Sequence, residues 1–212
     1  MFLIKMQVVS TKQSLLKMSS QLDIVLAKIN QQYQSDYYQP WHRVDSLNCE
    51  CVTHKGIYVL EIMDKLRFSL PETTVRFGVG YVEQFSDGTY NLSKAVTLAD
   101  KALGLLHQHD DYGNAHVQFN FGRKNSFEKM INESLRLCDF MVSRWRKSQS
   151  ELVSYLILNY GYMDTFVQKE IAEALNLSPQ NLNQQLKNSG YYNLIRMKRE
   201  LTVVLEQFRR SV

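Results

Sequence analysis

The stretch TTVRFGVGYVEQF, residues 73–85, alternates in character and is rich in Val, Phe and Tyr, the pattern of a strand with one face against a core. Ser86-Asp87-Gly88 supplies a turn after it. From Leu92 to His109 the apolar residues Val96, Ala99, Leu103 and Leu106 recur at helical spacing, and His116 to Phe121 alternates again as a strand. Working backwards, Pro71 ends a helix over 56–68 with Val59, Ile62, Met63 and Leu66 on one face. Trp41 to Thr53 reads as a hairpin, and Tyr37-Tyr38-Gln39-Pro40 as a break before it. Residues 14–34 form a helix with Leu15, Leu22, Leu26 and Ile29 inward, and Ile24 and Val25 widening that apolar face. Phe2 to Val9 reads as a buried strand. Ser126 is placed to cap a further helix that runs to about Lys147. The order β-α-β-β-α-β-α-β-α predicts an α/β or α+β domain over residues 1–147, a sheet with helices packed on it.

From Ser148 onward every pattern is helical, so residues 148–212 are expected to form an all-α unit. The long helix before it is expected to run straight in. Within that unit, VQKEIAEALNLSPQNLNQQL (167–186) has the logic of a helix-turn-helix. Ile171 and Leu175 face inward, and Ala172 is small where two helices approach. Asn176 sits where the turn needs a left-handed residue, and Leu177 plugs the core. Ser178 caps the next helix, Pro179 opens it, and Leu182 and Leu186 form its inner stripe. Gln180, Asn181, Asn183, Gln184 and Lys187 are left outside. Gln and Asn pair with adenine in the major groove, and Lys reaches guanine or phosphate. Arg196, Lys198, Arg199, Arg209 and Arg210 follow as candidate phosphate contacts. The same outward face also suits docking on another protein.

Composition bounds the function. The chain has 212 residues, 44% hydrophobic and 22% charged, which excludes a disordered or collagen-like chain. No apolar run approaches the ~20 residues that span a bilayer, and the N-terminus lacks secretory features. Three cysteines build no disulfide framework and fit a reducing compartment, so a cytoplasmic location with no membrane partner is expected. The net charge of +4 is divided as +3 over 1–147 (18 basic, 15 acidic) and +1 over 148–212 (7 basic, 6 acidic). Neither half attracts polyanions by net charge alone.

With these residues assembled, the chain resembles the SatD-like family. Its members pair an N-terminal domain like the palm of nucleotide cyclases with a C-terminal helix-turn-helix, which implies an α+β fold here, a ferredoxin-like antiparallel sheet with helices followed by an all-α unit. Arg76-Phe77-Gly78-Val79-Gly80 matches an RFGIG-like strand of the family, followed by a helix with Ala95, Ala99 and Ala102. The resemblance implies two carboxylates that hold divalent metals, one at the end of the first strand and one in a Gly-Asp-Glu-Phe-like hairpin. Here the first position is Gln7, in Gln7-Val8-Val9-Ser10-Thr11-Lys12, where the family has an Asp-led turn. The hairpin reads Asn48-Cys49-Glu50-Cys51-Val52, with Asp45 just before it. Gln7, Asp45, Cys49 and Glu50 are thus expected to mark a degenerate metal site, with no cofactor and no catalytic residue. One carboxylate does not hold two hard cations against water.

Other groups have plainer readings. His42, Cys49, Cys51 and His54 do not space like a zinc knuckle, and burial of the cysteines is the expectation. His107, His109, Asp110 and Asp111 follow a helix end, where cations are favoured. Gly78-x-Gly80 lacks the third glycine or lysine of a phosphate loop. Tyr33, Tyr37, Tyr38 and Trp41 form an aromatic cluster that suits a core edge, a dimer contact or base stacking. The expected function is a DNA-binding regulator whose first domain dimerises or senses a small nucleotide ligand. A metal-dependent nucleotidyl-transfer enzyme using Asp45 and Glu50, and a protein-interaction module, remain open.

Overall fold

The structure, a computed structural model, describes residues 1–109, 111–122 and 126–211. Its elements are β1 (Phe2–Thr11), α1 (Leu15–Gln32), β2 (Tyr37–Arg43), β3 (Asn48–Thr53), α2 (Val59–Ser69), β4 (Thr73–Tyr81), α3 (Leu92–Gln108), β5 (Val117–Asn120), α4 (Ser126–Ser143), α5 (Lys147–Tyr160), α6 (Gln168–Ala174), α7 (Pro179–Ser189) and α8 (Tyr191–Ser211). The fold is mixed α+β, with a five-stranded sheet and eight helices among the described residues.

The sheet order is β2-β3-β1-β4-β5. The first four strands pair antiparallel, with Lys5 opposite both Glu50 and Gly78, and Gln7 opposite both Asn48 and Arg76. β5 joins β4 in parallel, so the sheet is not wholly antiparallel as expected. The cause is α3, which carries the chain back across the sheet before β5.

Alternation along β1 assigns the faces. Phe2, Ile4, Met6 and Val8 enter the main core with Met18, Leu22, Leu26 and Ile29 of α1 and with Val59, Ile62, Met63 and Leu66 of α2. Leu3, Lys5 and Gln7 face the other way. There Gly78 and Gly80 let α3 lie directly on β4, because a Cβ on either would strike the backbone oxygen of Ala99 or Ala95. The RFGVG strand and the alanine-rich helix are thus one packing device.

Several boundaries differ from the sequence reading. Tyr37–Pro40 is strand rather than break, because β2 is a sheet edge, where a proline removes no ladder bond. Leu15 and Ile24 point to solvent, at 65% and 70% exposed, because α1 buries a narrower stripe. α4 stops at Ser143, and Arg144–Arg146 separates it from α5, so no helix runs straight through. There Trp145 stacks on Phe68 and donates to the Ser189 carbonyl at 2.8 Å. Ser126 is the first residue of α4, and the capping position before it lies outside the described residues.

The core runs on past residue 147. One buried cluster contains Phe2, Ile62 and Phe119 together with Leu152, Leu182, Tyr191 and Leu205. Phe208 of α8 stacks on Phe121 and Phe127 and meets Tyr81 edge-on.

Candidate functional site

Two regions gather the predicted site residues. The first is a cleft of about 430 Å³ on the α3 side of the sheet, lined by Lys5, Gln7, Asp45, Asn48, Asp100 and His107 among others. Strand alternation brings Gln7, Lys5 and Glu50 to this face. Cys49 pairs with Met6 and points into the opposite core, where burial pushes its thiol up to about 11. The residue still borders the cleft, although it is buried in that core. Cys51 is buried too, as the sequence predicts, and so is Cys138.

Each carboxylate in or beside the cleft has work of its own. Asp45 sits in the β2–β3 turn, where its Oδ1 accepts from the backbone N–H of Leu47 at 2.7 Å and of Asn48 at 2.8 Å. The Leu47 N–H first, then the Asn48 side-chain amide, which also donates to it, hold its carboxyl below the usual range. Lys5 Nζ lies 2.6 Å from Asp100 and 4.0 Å from Glu50, so an ammonium already occupies the space between them. His42 Nε2 stands 3.5 Å from Glu50.

Gln7, where the resemblance implies a metal-binding aspartate, joins a side-chain relay. Arg76 only donates, so His107 Nδ1, 3.2 Å away, accepts, and its proton resides on Nε2. Nε2–H then donates to Gln7 Oε1 at 2.7 Å. A neutral amide accepting from an imidazole, beside a lysine, is a donor set that does not fit a pair of divalent cations. Among the described residues no group of three or more His, Cys, Asp and Glu converges as metal ligands would. The sequence marks neither Lys5 nor Asp100, and marks Arg76 only as part of the RFGVG strand, not as a site residue. Strand register puts Lys5 beside Glu50 and Arg76 beside Gln7, and α3 brings Asp100 to Lys5. His109 caps the end of α3, and Asp110 lies outside the described residues. Of the aromatic cluster, Tyr33, Tyr37 and Trp41 are buried, and only Tyr38 is exposed, edge-on to His54 and Tyr90.

The second region is α6 and α7. Ile171 and Ala172 are buried from α6, Leu182 and Leu186 from α7, and Leu175 and Leu177 are half-buried against the same core. Asn176 takes φ +52°, the left-handed turn conformation expected of it. Ser178 Oγ accepts from Asn181 N–H at 3.2 Å, Pro179 opens α7, and Gly190 closes it at φ +65°. Gln180, Asn181, Asn183, Gln184 and Lys187 are all exposed. Gln184 donates to Asn188, and Gln185 to Asn181.

The cations downstream divide. Arg196 is exposed, while Arg199 is half-exposed and donates to Asp164 at 2.6 Å. Lys198 is buried, 3.0 Å from Asp64, and is removed from any surface contact. The α8 periodicity puts it inward, and a buried carboxylate on α2 receives it. Arg209 and Arg210 both hold Glu206, and Arg209 foremost draws its carboxyl down to about 2.

Among the described residues no helix is long and apolar enough to cross a membrane. Searches of curated proteins and of solved structures find no match. A scan of protein-family profiles matches the SatD family over residues 3–205, nearly the whole chain. The chain therefore belongs to the SatD family.

Proposed function

We propose that the chain is a DNA-binding regulatory protein, with a helix-turn-helix unit in residues 148–212 and a palm-like, non-catalytic unit in residues 1–147. The observation that carries this reading is α7. Its inner stripe is Leu182 and Leu186, and its exposed side holds Gln180, Asn181, Asn183, Gln184 and Lys187. Amide side chains near the N-terminus of such a helix suit base edges, and Lys187, Arg196 and Arg199 suit phosphates. The order β1-α1-β2-β3-α2-β4 with strands β2-β3-β1-β4 supports the palm-like, ferredoxin-like reading of the first unit. The Lys5–Gln7–His107 cleft suits a small polar ligand, a nucleotide among them, better than metal-dependent nucleotidyl transfer.

The test is fluorescence anisotropy with random duplex DNA across a salt series. Binding that falls steeply with salt is expected. Replacing Gln180, Asn181 and Gln184 together by Ala should weaken it about tenfold or more. If no salt-dependent binding occurs even at low ionic strength, the reading fails. If the same triple variant instead loses a protein partner and keeps its DNA affinity, α7 is a protein-docking face.

A further inference from the structure

We propose that α1 is the contact helix of a two-fold homodimer of this chain. The helix buries Met18, Leu22, Leu26 and Ile29. The ridge directly opposite carries Leu16, Ser20, Ile24 and Ala27, all exposed, where an amphipathic helix should be polar. Leu16 at 84%, Ile24 at 70% and Leu15 at 65% are the most exposed large aliphatic side chains among the described residues. The patch widens at one end. Arg43 donates to the Ser19 carbonyl at 2.8 Å and to Asp23 at 2.6 Å, which moors the β2–β3 turn to α1 and sets the exposed Val44 and Leu47 near it.

The occupant is argued from the ridge's own symmetry. In an antiparallel pair of identical helices related by a two-fold axis, facing residues have numbers that sum to a constant. With the axis at Ser20, Leu16 of one copy meets Ile24 of the other. The same operation sets Lys17 against Asp23, charges of opposite sign that are both exposed. Lys28, the only other charge on α1, falls at the level of the second copy's exposed Lys12, ahead of the start of its helix, so the Lys17–Asp23 pair is the charge match within the helices themselves. Ser20 at the crossing point is small enough for close approach. Self-complementarity of shape and charge at one register is what an isologous interface requires.

The test uses the full chain without DNA, so its outcome is independent of α7. Sedimentation equilibrium should give a dimer that L16E/I24E converts to monomer, with the circular dichroism unchanged. The native cysteines are buried, so Ser20→Cys introduces an accessible thiol on the proposed axis. Its oxidation should yield a covalent dimer, whereas Gln31→Cys, exposed but far from the axis, should not. A wild-type chain that stays monomeric to about 100 µM, where an interface of ordinary size would be populated, overturns the proposal. So does an L16E/I24E variant of unchanged mass, or S20C that links no faster than Q31C.

Discussion

Both edges of the sheet are closed by a single asparagine from a neighbouring helix. Asn30 of α1 donates to the Trp41 carbonyl at 2.9 Å and accepts from its N–H at 2.8 Å. At the far edge, Asn132 of α4 accepts from Phe119 N–H at 2.8 Å and donates to its carbonyl at 3.0 Å. A side-chain amide thus supplies the donor and acceptor that a further strand would have offered, which blunts the edge against unwanted pairing. Asp139 and Glu128 extend the same seal to the N–H groups of His116 and Phe121. Asn132 is buried, so Asn132→Ala strands two backbone groups at once. A loss of about 2–4 kcal/mol is expected, with Asn132→Asp nearly as costly because it no longer donates. Asn30→Ala, at a part-buried site, should cost about 1 kcal/mol. Urea denaturation with an unchanged slope would measure both. An N132A midpoint equal to wild type would show that water replaces the amide.

At the entry to β5 the element, rather than one bond, sets the pH response. His116 is enclosed between β4 and α4 and meets the Val75 carbonyl through Nδ1 at 2.9 Å. Burial first, then the positive Arg67, lowers its pKa to about 4. A folded pKa below the unfolded value near 6.5 means that the native state favours the neutral ring. The resulting stability is complete above about pH 6.5 and is lost as pH falls through 4. On the order of 2 kcal/mol should disappear between pH 7 and 4.5, and His116→Asn should remove that slope in a pH series of denaturation midpoints. The packing of α3 on β4 gives a second prediction. Gly80→Ala must push the helix off the strand, because the obstacle is the Ala95 backbone rather than a flexible side chain. A loss of about 1–3 kcal/mol is expected, visible as a lowered melting temperature. Periodicity in the sequence foretold all nine elements up to α4 in order, and the turn at Asn176, Ser178 and Pro179, because those depend on neighbours a few residues apart. It did not foretell the parallel β5, the outward turn of Leu15 and Ile24, or the burial of Lys198. Each of these depends on which distant element arrives to pack, and Gln7 acquires its His107 partner in the same way.

At the scale of the molecule, α2 carries the charged groups that join the two halves of the chain. Glu61 accepts from Tyr33 Oη at 2.5 Å and from Tyr162 N–H at 3.3 Å, while Gly161 leaves room for its carboxylate. Three residues on, buried Asp64 binds Lys198 Nζ and accepts from Tyr162 Oη at 2.5 Å. Burial, the largest influence, opposes the Lys198 charge, yet Asp64, Cys138 and Asp139 together outweigh it and hold the ammonium above its usual range. Burial and then Asp64 raise the Tyr162 phenol well above its own. Arg67 reaches Asp139 of α4 at 2.6 Å. Such a network stabilises little over a well-packed apolar one, but breaking one member leaves a charge without solvent or partner. Lys198→Met should therefore cost about 3–5 kcal/mol. Asp64→Asn added to it should recover most of that loss, because the asparagine carries no charge and still accepts from Tyr162. Since the pair ties α2 to α8 across one continuous core, unfolding of the full chain should be a single transition. Tryptophan fluorescence, from Trp41 in the first half and Trp145 at the junction, should coincide with far-ultraviolet circular dichroism in wild type and in both variants. Two separated transitions in the wild type would mean that the halves fold independently and that the Asp64–Lys198 pair couples nothing.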